Sequence, residues 1–141
     1  MKTLITLYAV LFGFAGFVNA QADTESLFVV LTSDDAETQM MAMVLATQSL
    51  NKDVSVRILL CSNAGDLALK GSESPIFAPA DRSPKQLLMS LMDQGVRVEV
   101  CGIYLPNRDH TEADLIEGIG TAAPPEVAEF MKQEGVRYFT F

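Results

Sequence analysis

The sequence contains little cysteine, little histidine and few basic residues. Its 141 residues include two cysteines and one histidine, and 10 Lys and Arg stand against 18 Asp and Glu, which gives a formal net charge of −8. A chain this acidic repels phosphate backbones and anionic membrane surfaces. We therefore expect no nucleic-acid partner.

Short motifs of several enzyme classes are also absent from the sequence. It has no Gly-rich phosphate loop, no zinc-finger spacing of Cys and His, and no Gly-x-Ser-x-Gly motif. No pair of base and nucleophile typical of a hydrolase is visible. We expect neither a metal nor an organic cofactor, so any chemistry has to come from a few side chains.

The first twenty residues differ from the rest of the chain. Lys2 precedes an almost wholly apolar run, and small residues lead up to Ala20. This pattern predicts a secretory signal peptide at 1–20, cleaved after Ala20, followed by one domain at 21–141. A membrane anchor is the alternative, but the run is short for a span and no basic cluster follows it. The prediction implies a periplasmic or secreted protein that leaves the membrane after cleavage.

The remaining residues alternate between strand and helix patterns. Predicted strands lie at 26–32, 54–61, 96–101 and 136–141, and predicted helices lie at 36–50, 63–70 and 111–118, from Pro84 up to Gly95, and from Pro124 onward. Apolar strands that alternate with helices indicate parallel pairing. The sequence therefore predicts the α/β class: a three-layer α/β/α sandwich with a mainly parallel sheet of four to five strands.

Three side-chain pairs predict where helices begin. Asp34 with Glu37 and Thr111 with Asp114 have the spacing of a helix N-cap and its partner. Ser83, followed by Pro84 and then Gln86, predicts a capping box with proline at the first helical position. On the last helix, Val127, Phe130 and Met131 are expected to form the buried stripe.

Both cysteines are predicted to close a strand at the same edge of the sheet. In open parallel sheets, ligands bind outside the carboxyl ends of the strands. That edge should collect Asp34, Asp35, Cys61, Asn63 and the pair Cys101-Gly102, and the proline-containing segment 71–82 is expected to be an ordered loop over it. This shared edge is the main functional signal in the residue spacing.

Cys101 has three alternative interpretations. It could be a reactive thiol, activated by backbone N–H groups after Gly102 and by the nearest cations, Arg108 and His110. It could be an inert core residue, because free cysteine packs like a small hydrophobe. It could also form a structural disulfide with Cys61, since two cysteines in an exported chain invite pairing. The residues alone leave all three open.

The other polar candidates have simpler explanations beside the functional ones. His110 could be a base or ligand, but a single loop histidine is more often solvated, and its neighbours have no metal-ligand spacing. Asp34 and Asp35 could act as paired acid–base carboxylates, although capping already accounts for Asp34. Asn63 could line a pocket or simply start a helix. The bunched methionines at 40, 41 and 43 suggest core packing with one side chain left for a subunit contact.

Four segments carry a resemblance to a known family. They are "GVRVEVCG", the "PNR" that follows it, "EADLIEGI" and the closing "GVRYFTF". With these, the chain from about residue 26 onward resembles the DsrE/DsrF-like family. The resemblance implies a sheet flanked by helices, assembly as a trimer or hexamer, and, as in sulfur-relay members, a persulfide on the cysteine that corresponds to Cys101.

Two functional hypotheses follow. The first is a periplasmic sulfur-handling protein in which Cys101 carries or transfers sulfane sulfur, supported by Cys61, Arg108 or His110, with a donor or acceptor protein as partner. The second is a non-catalytic module of the same fold, which binds a small ligand or assembles with copies of itself and has structural cysteines.

Overall fold

The structure is a computed structural model that describes residues 25–141. The predicted signal peptide lies outside the described residues. The main elements are β1 (Ser26–Leu31), α1 (Ala36–Leu50), β2 (Ser55–Leu60), α2 (Pro84–Asp93), β3 (Arg97–Cys101), β4 (Gly120–Ala122), α3 (Pro124–Met131) and β5 (Val136–Thr140). Three 3₁₀ segments lie at Ser62–Ala68, Leu105–Asn107 and Glu112–Asp114.

The strands form one five-stranded sheet in the order β4-β3-β2-β1-β5, and every pairing is parallel. The predicted parallel α/β fold is therefore confirmed, and all four predicted strands are present. The sheet has one strand more than the four whose positions the sequence predicts. This additional strand is β4, and it has only three residues. No helix within residues 25–141 has the length and apolar character needed to cross a bilayer.

The helices cover the sheet unequally on its two faces. One face packs against α1 and α2 and forms the larger core, with contributions from Val29, Ile58, Leu60, Val98, Val100, Met43, Leu88 and Leu91. The opposite face packs against α3 through a smaller cluster of Phe28, Leu59 and Ala122. Strand alternation explains the division, because successive side chains point to opposite faces.

The helix starts agree with the predictions except at α1. Ser83 accepts a hydrogen bond from the Gln86 amide (3.2 Å), and the Gln86 side chain accepts one from the Ser83 amide (2.9 Å), which confirms the capping box. The cap predicted at Asp34 is wrong. Asp35 caps α1, because its carboxylate accepts hydrogen bonds from the Thr38 amide (2.8 Å) and hydroxyl (2.7 Å).

Two predicted helices are shorter and tighter than expected. Segment 63–70 is the 3₁₀ segment Ser62–Ala68, and in 111–118 only Glu112–Asp114 is helical, although the Thr111–Asp114 capping box is present. The reason is a tertiary contact. The Ile116 amide donates to the Ala68 carbonyl (2.8 Å), so these two segments satisfy each other's backbone in place of an extra helical turn.

The buried stripe predicted for the last helix is only partly right. Val127 and Phe130 pack against the smaller cluster, but Met131 is 42% exposed and α3 has no fully buried residue. A helix of this length buries little when it lies alone on a sheet face.

Candidate functional site

The register of two neighbouring strands brings the cysteines together. In the parallel pair β2–β3, Leu60 lies opposite Val100, so Cys61 and Cys101 are the next pair along the ladder. Cys61 continues the extended backbone, and its amide donates to the Leu31 carbonyl (2.8 Å). Cys61 packs against the smaller cluster on the α3 side, whereas Cys101 packs against the larger core. Both are half-buried free thiols.

The two thiols open onto one cavity of about 420 Å³ at the carboxyl end of the sheet. Its lining residues are Cys61, Ser62, Cys101, Ile103, Tyr104, Asn107 and Arg108. The chain turns away directly after Cys61, where Ser62 has a φ of 52° in the left-handed region that non-glycine residues seldom adopt. This turn leaves room beside both sulfur atoms.

The surroundings of Cys61 disfavour its ionisation. The pKa of Cys61 is raised to about 12, first by burial, then by a hydrogen bond with Cys101 and by the negative charge that Cys101 can carry. Cys61 therefore remains a protonated thiol at neutral pH and can donate its S–H to a neighbouring thiolate. The protonated thiol is the poorer nucleophile, so Cys61 is poorly suited to attack a donor at neutral pH.

Arg108 supplies a positive charge to the cavity wall and is held from three sides. Its guanidinium donates to the Asn63 side-chain oxygen (3.1 Å), lies 3.8 Å from an Asp66 carboxylate oxygen and stacks with its Cζ 4.4 Å from the centre of the Tyr104 ring. Asn63 in turn donates to Asp34 (3.1 Å). The predicted residues Asp34, Asn63 and Arg108 thus form one connected polar chain beside the cysteines.

Tyr104 forms the floor under Arg108. Its side chain is 1% exposed, and its hydroxyl donates to Asp66 at 2.6 Å. Burial and then this hydrogen bond raise the pKa of the Tyr104 phenol well above its usual range, so it stays neutral. A Cβ on Gly65 would lie 2.2 Å from the ring, so only glycine permits this close packing.

Gly102 and Asp35 contribute to the framework around the cavity. A Cβ on Gly102 would come within 2.8 Å of the Ala122 carbonyl oxygen, so a side chain there would push β4 away from the end of β3. Asp35 is occupied by its cap on α1, and hydrogen bonds from Thr38 lower its pKa. Neither residue lines the cysteine cavity.

The structure places His110 away from the cysteines. It lines a separate cavity of about 410 Å³ together with Lys70, Ser72 and Asp114. There its positive charge is one of the weaker causes that lower the pKa of Asp114, after the hydrogen bonds from Thr111. Arg108 is therefore the cation of the predicted pair that lines the cysteine cavity. Within residues 25–141, no cluster of three or more His, Cys, Asp and Glu is arranged to hold a metal ion.

The proline-containing loop lies beside the polar chain and not over the sulfur atoms. Ser72, Glu73 and Pro75 line a small cavity of about 170 Å³ with Asp34 and Asn63. Lys85, at the start of α2, fixes the beginning of this loop by donating to the carbonyl oxygens of Leu69 (2.5 Å), Lys70 (3.1 Å) and Ser72 (2.9 Å). The loop therefore borders Asp34 and Asn63 of the polar chain.

Sequence reasoning missed Tyr104, Asp66 and Gly65. All three act through packing between segments roughly 40 residues apart, which no local pattern encodes. One weak signal existed: a glycine between small residues in "NAGD" suggests that something large lies on top of it. The partner of that glycine could not be read from the sequence.

Comparisons with known proteins agree with this fold. The chain is 26% identical over 115 residues to "Uncharacterized protein MJ0760" of Methanocaldococcus jannaschii, covering 80% of this chain and 42% of that protein. The chain therefore spans less than half the length of this curated relative.

Two solved structures share the architecture. The ychN protein from E. coli superposes with a TM-score of 0.67 at 21% identity, covering 84% of this chain and 99% of that one. Protein MTH1491 of unknown function from Methanobacterium thermoautotrophicum superposes with a TM-score of 0.63 at 20% identity, covering 83% and 99%. At this level of identity the likeness concerns the fold. The model of the DsrE/DsrF-like family matches residues 25–141, and the chain belongs to that family.

Proposed function

We propose that this protein carries sulfane sulfur as a persulfide on Cys101 and exchanges it with partner proteins. The observation that supports this most is the shared cavity, which Cys101, Cys61 and Arg108 line together. Membership of the DsrE/DsrF-like family makes a sulfur-relay type of function plausible.

The loading step needs only the thiol and a persulfide donor. The thiolate of Cys101 attacks the outer sulfur of a donor persulfide, R–S–SH. The bond between the two donor sulfurs breaks, a new S–S bond forms on Cys101, and the donor leaves as R–S⁻. The outer sulfur is transferred from the donor to Cys101 at unchanged oxidation state, so no further oxidant or reductant is required.

Residues around Cys101 favour this step in two ways. The Cys61 thiol can donate a hydrogen bond to the Cys101 thiolate, and the Arg108 charge lies on the same cavity wall. The cavity of about 420 Å³ has space for an additional sulfur atom and for the approach of a donor. Ile103, which is 69% exposed at the cavity mouth, offers an apolar contact to such a partner.

The compartment and assembly remain part of the proposal. The signal-peptide pattern supports action in the periplasm or outside the cell. Exposed apolar side chains support assembly with further copies of the chain: Met41, Ile76, Met89, Met131 and Tyr138. Light scattering on the purified protein measures the assembly, and peptide mapping of the exported protein locates the cleavage site.

The test of the proposed function is a loading experiment. The reduced protein is incubated with glutathione persulfide under anaerobic conditions, the excess is removed, and intact and peptide masses are recorded. We expect the mass of one added sulfur on the Cys101 peptide, no addition in Cys101→Ser, and slower loading in Arg108→Gln. Arg108→Lys serves as the matched control, because it keeps the positive charge.

Failure of loading while both thiols react normally with a thiol reagent would contradict the proposal. That result favours the second candidate, a non-catalytic module. The polar chain of Asp34, Asn63 and Arg108 would then be the part that contacts a small ligand.

A further inference from the structure

Cys61 has no covalent role in the loading step, although it lies next to the sulfur that accepts the persulfide. We propose that Cys61 discharges the persulfide on Cys101, which releases hydrogen sulfide and leaves a Cys61–Cys101 disulfide. This inference rests on the proposed function and adds a second reaction, the reductive release of sulfide, to the same site.

The strand register supplies the geometry for this reaction. Adjacent strands lie about 4.8 Å apart, which falls within the Cα separation of roughly 4.4–6.8 Å that disulfides adopt. Cys61 and Cys101 occupy neighbouring positions one step beyond the Leu60–Val100 pair, and both line the same cavity. Cys101 is also one of the causes that raise the pKa of Cys61, as expected for two adjacent thiols. The attacking sulfur is therefore held beside its target.

The step balances without another reactant. The Cys61 sulfur attacks the inner sulfur of the persulfide, Cys101–S–SH. The bond to the outer sulfur breaks, the bond between Cys61 and Cys101 forms, and the outer sulfur leaves as HS⁻, which takes up the proton lost by Cys61. The two cysteine sulfurs are oxidised to a disulfide and the sulfane sulfur is reduced to sulfide. A dithiol protein would return the site to its reduced form.

The raised pKa of Cys61 makes this discharge slow at neutral pH. Only the small thiolate fraction attacks, although holding the two cysteines on adjacent strand ends compensates for part of that loss. The titratable and charged side chains that line the cavity with Cys61 are Cys101, Tyr104 and Arg108. A transfer partner thus has time to collect the sulfur, and Cys61 removes sulfur that no partner collects.

The experiment follows the loaded protein over time. Full-length reduced protein is loaded with glutathione persulfide, freed of excess donor and kept anaerobic. Samples withdrawn over time are divided between sulfide determination with monobromobimane and measurement of the protein mass. Wild type should release one sulfide per persulfide and form the Cys61–Cys101 disulfide. Cys61→Ser should keep the added sulfur at least tenfold longer. Gly71→Ala is the matched control, because a Cβ there meets nothing within 4 Å and Gly71 does not line the cysteine cavity, and it should behave as wild type.

A pH series sharpens the result. Between neutral pH and pH 10, the rate of sulfide release that exceeds the Cys61→Ser rate should rise about tenfold per pH unit, as expected for a thiolate nucleophile far below its pKa. A persulfide that is equally stable in wild type and Cys61→Ser would overturn the discharge step and leave the proposed function intact. Absence of any persulfide on Cys101 would overturn both. If Cys61→Ser does not fold, Cys61→Ala and the stoichiometry of sulfide to disulfide in wild type decide the question.

Discussion

The two faces of the sheet are built on different principles. The face under α1 and α2 is closed by aliphatic side chains that exclude water almost completely. The face under α3 contains a buried ion pair, Arg57–Glu99 (2.7 Å), beside an open cavity of about 460 Å³. The cysteine cavity lies beyond the carboxyl ends of β2 and β3, where Cys101 packs against the larger core and Cys61 against the smaller cluster. One face therefore provides most of the hydrophobic stabilisation, which allows the other to remain accessible and polar.

Truncating an aliphatic side chain on the closed face should have the largest effect. Leu91→Ala removes a fully buried side chain of α2 and should lower the free energy of unfolding by about 4 kcal/mol, because the transfer and cavity costs add. Val127→Ala on α3, which is only half-buried, should cost about 1 kcal/mol or less. Urea unfolding measures both, and equal losses would refute the difference between the faces.

Substitution of Glu99 tests how strongly the buried ion pair stabilises the face under α3. Glu99 is contacted by Arg57 and by Arg97 (2.6 Å), and the Arg57 guanidinium also lies 4.9 Å from the centre of the Phe130 ring. Glu99→Ala should cost about 3 kcal/mol, because it leaves a buried arginine without its counter-ion.

The matched control for that prediction is Glu126→Ala. Glu126 also pairs with Arg97, but at 3.2 Å and on the surface. Exposed pairs contribute roughly 0–1 kcal/mol. Similar losses for the two substitutions, measured by urea unfolding, would mean that the pair on the α3 face is not effectively buried.

Gly65 tests how the cavity floor depends on close packing. Gly65→Ala should cost about 2 kcal/mol through overpacking against Tyr104, and it should also slow the loading of Cys101, because Arg108 rests on the displaced ring. Gly71→Ala is the control, since a Cβ there meets nothing within 4 Å. Thermal unfolding and the loading assay together check the prediction, and wild-type behaviour of Gly65→Ala would contradict it.

The smallest effect is expected from titration of Cys61. Its pKa is about 12 in the folded chain against an ordinary value of 9.0, so the folded state holds the proton more tightly than the unfolded state. The stabilisation is complete below pH 9 and is lost as the pH rises from 9 to 12. Unfolding in urea at pH 8 and pH 10.5 should show a greater loss for wild type than for Cys61→Ser. Equal losses would mean that the pKa of Cys61 is not raised in the folded chain.

The fold was largely predictable because its signals are local and repeated. β1 is an apolar run, β3 alternates apolar with charged residues, and the Ser83 capping box and the glycine that follows α2 mark helix ends within a few residues. Gly95, for example, has a φ of +88° that suits glycine. β4 could not be predicted, since three small residues form a strand only because β3 lies beside them. The choice of Asp35 over Asp34 as cap depended on a one-residue difference in where α1 begins.

The candidate site was predictable in position but not in composition. The carboxyl ends of parallel strands lie at one edge of the sheet. Because Cys61 and Cys101 each end a predicted strand, the sequence places both at that edge. The tertiary network did not follow, because Tyr104 and Asp66 are joined across distant segments. For the same reason the sequence could not separate Arg108, which folds back to Asn63, from His110, which points into another cavity.

The register that sets the cysteines side by side also has a thermodynamic consequence. A bond between them would close a loop of roughly 40 residues that includes α2, and the chain-entropy model assigns such a crosslink about 4 kcal/mol by restricting the unfolded ensemble. Each discharge would therefore leave behind a more heat-resistant molecule. The melting temperature would then be higher for molecules that released their sulfur as sulfide than for molecules that transferred it to a partner.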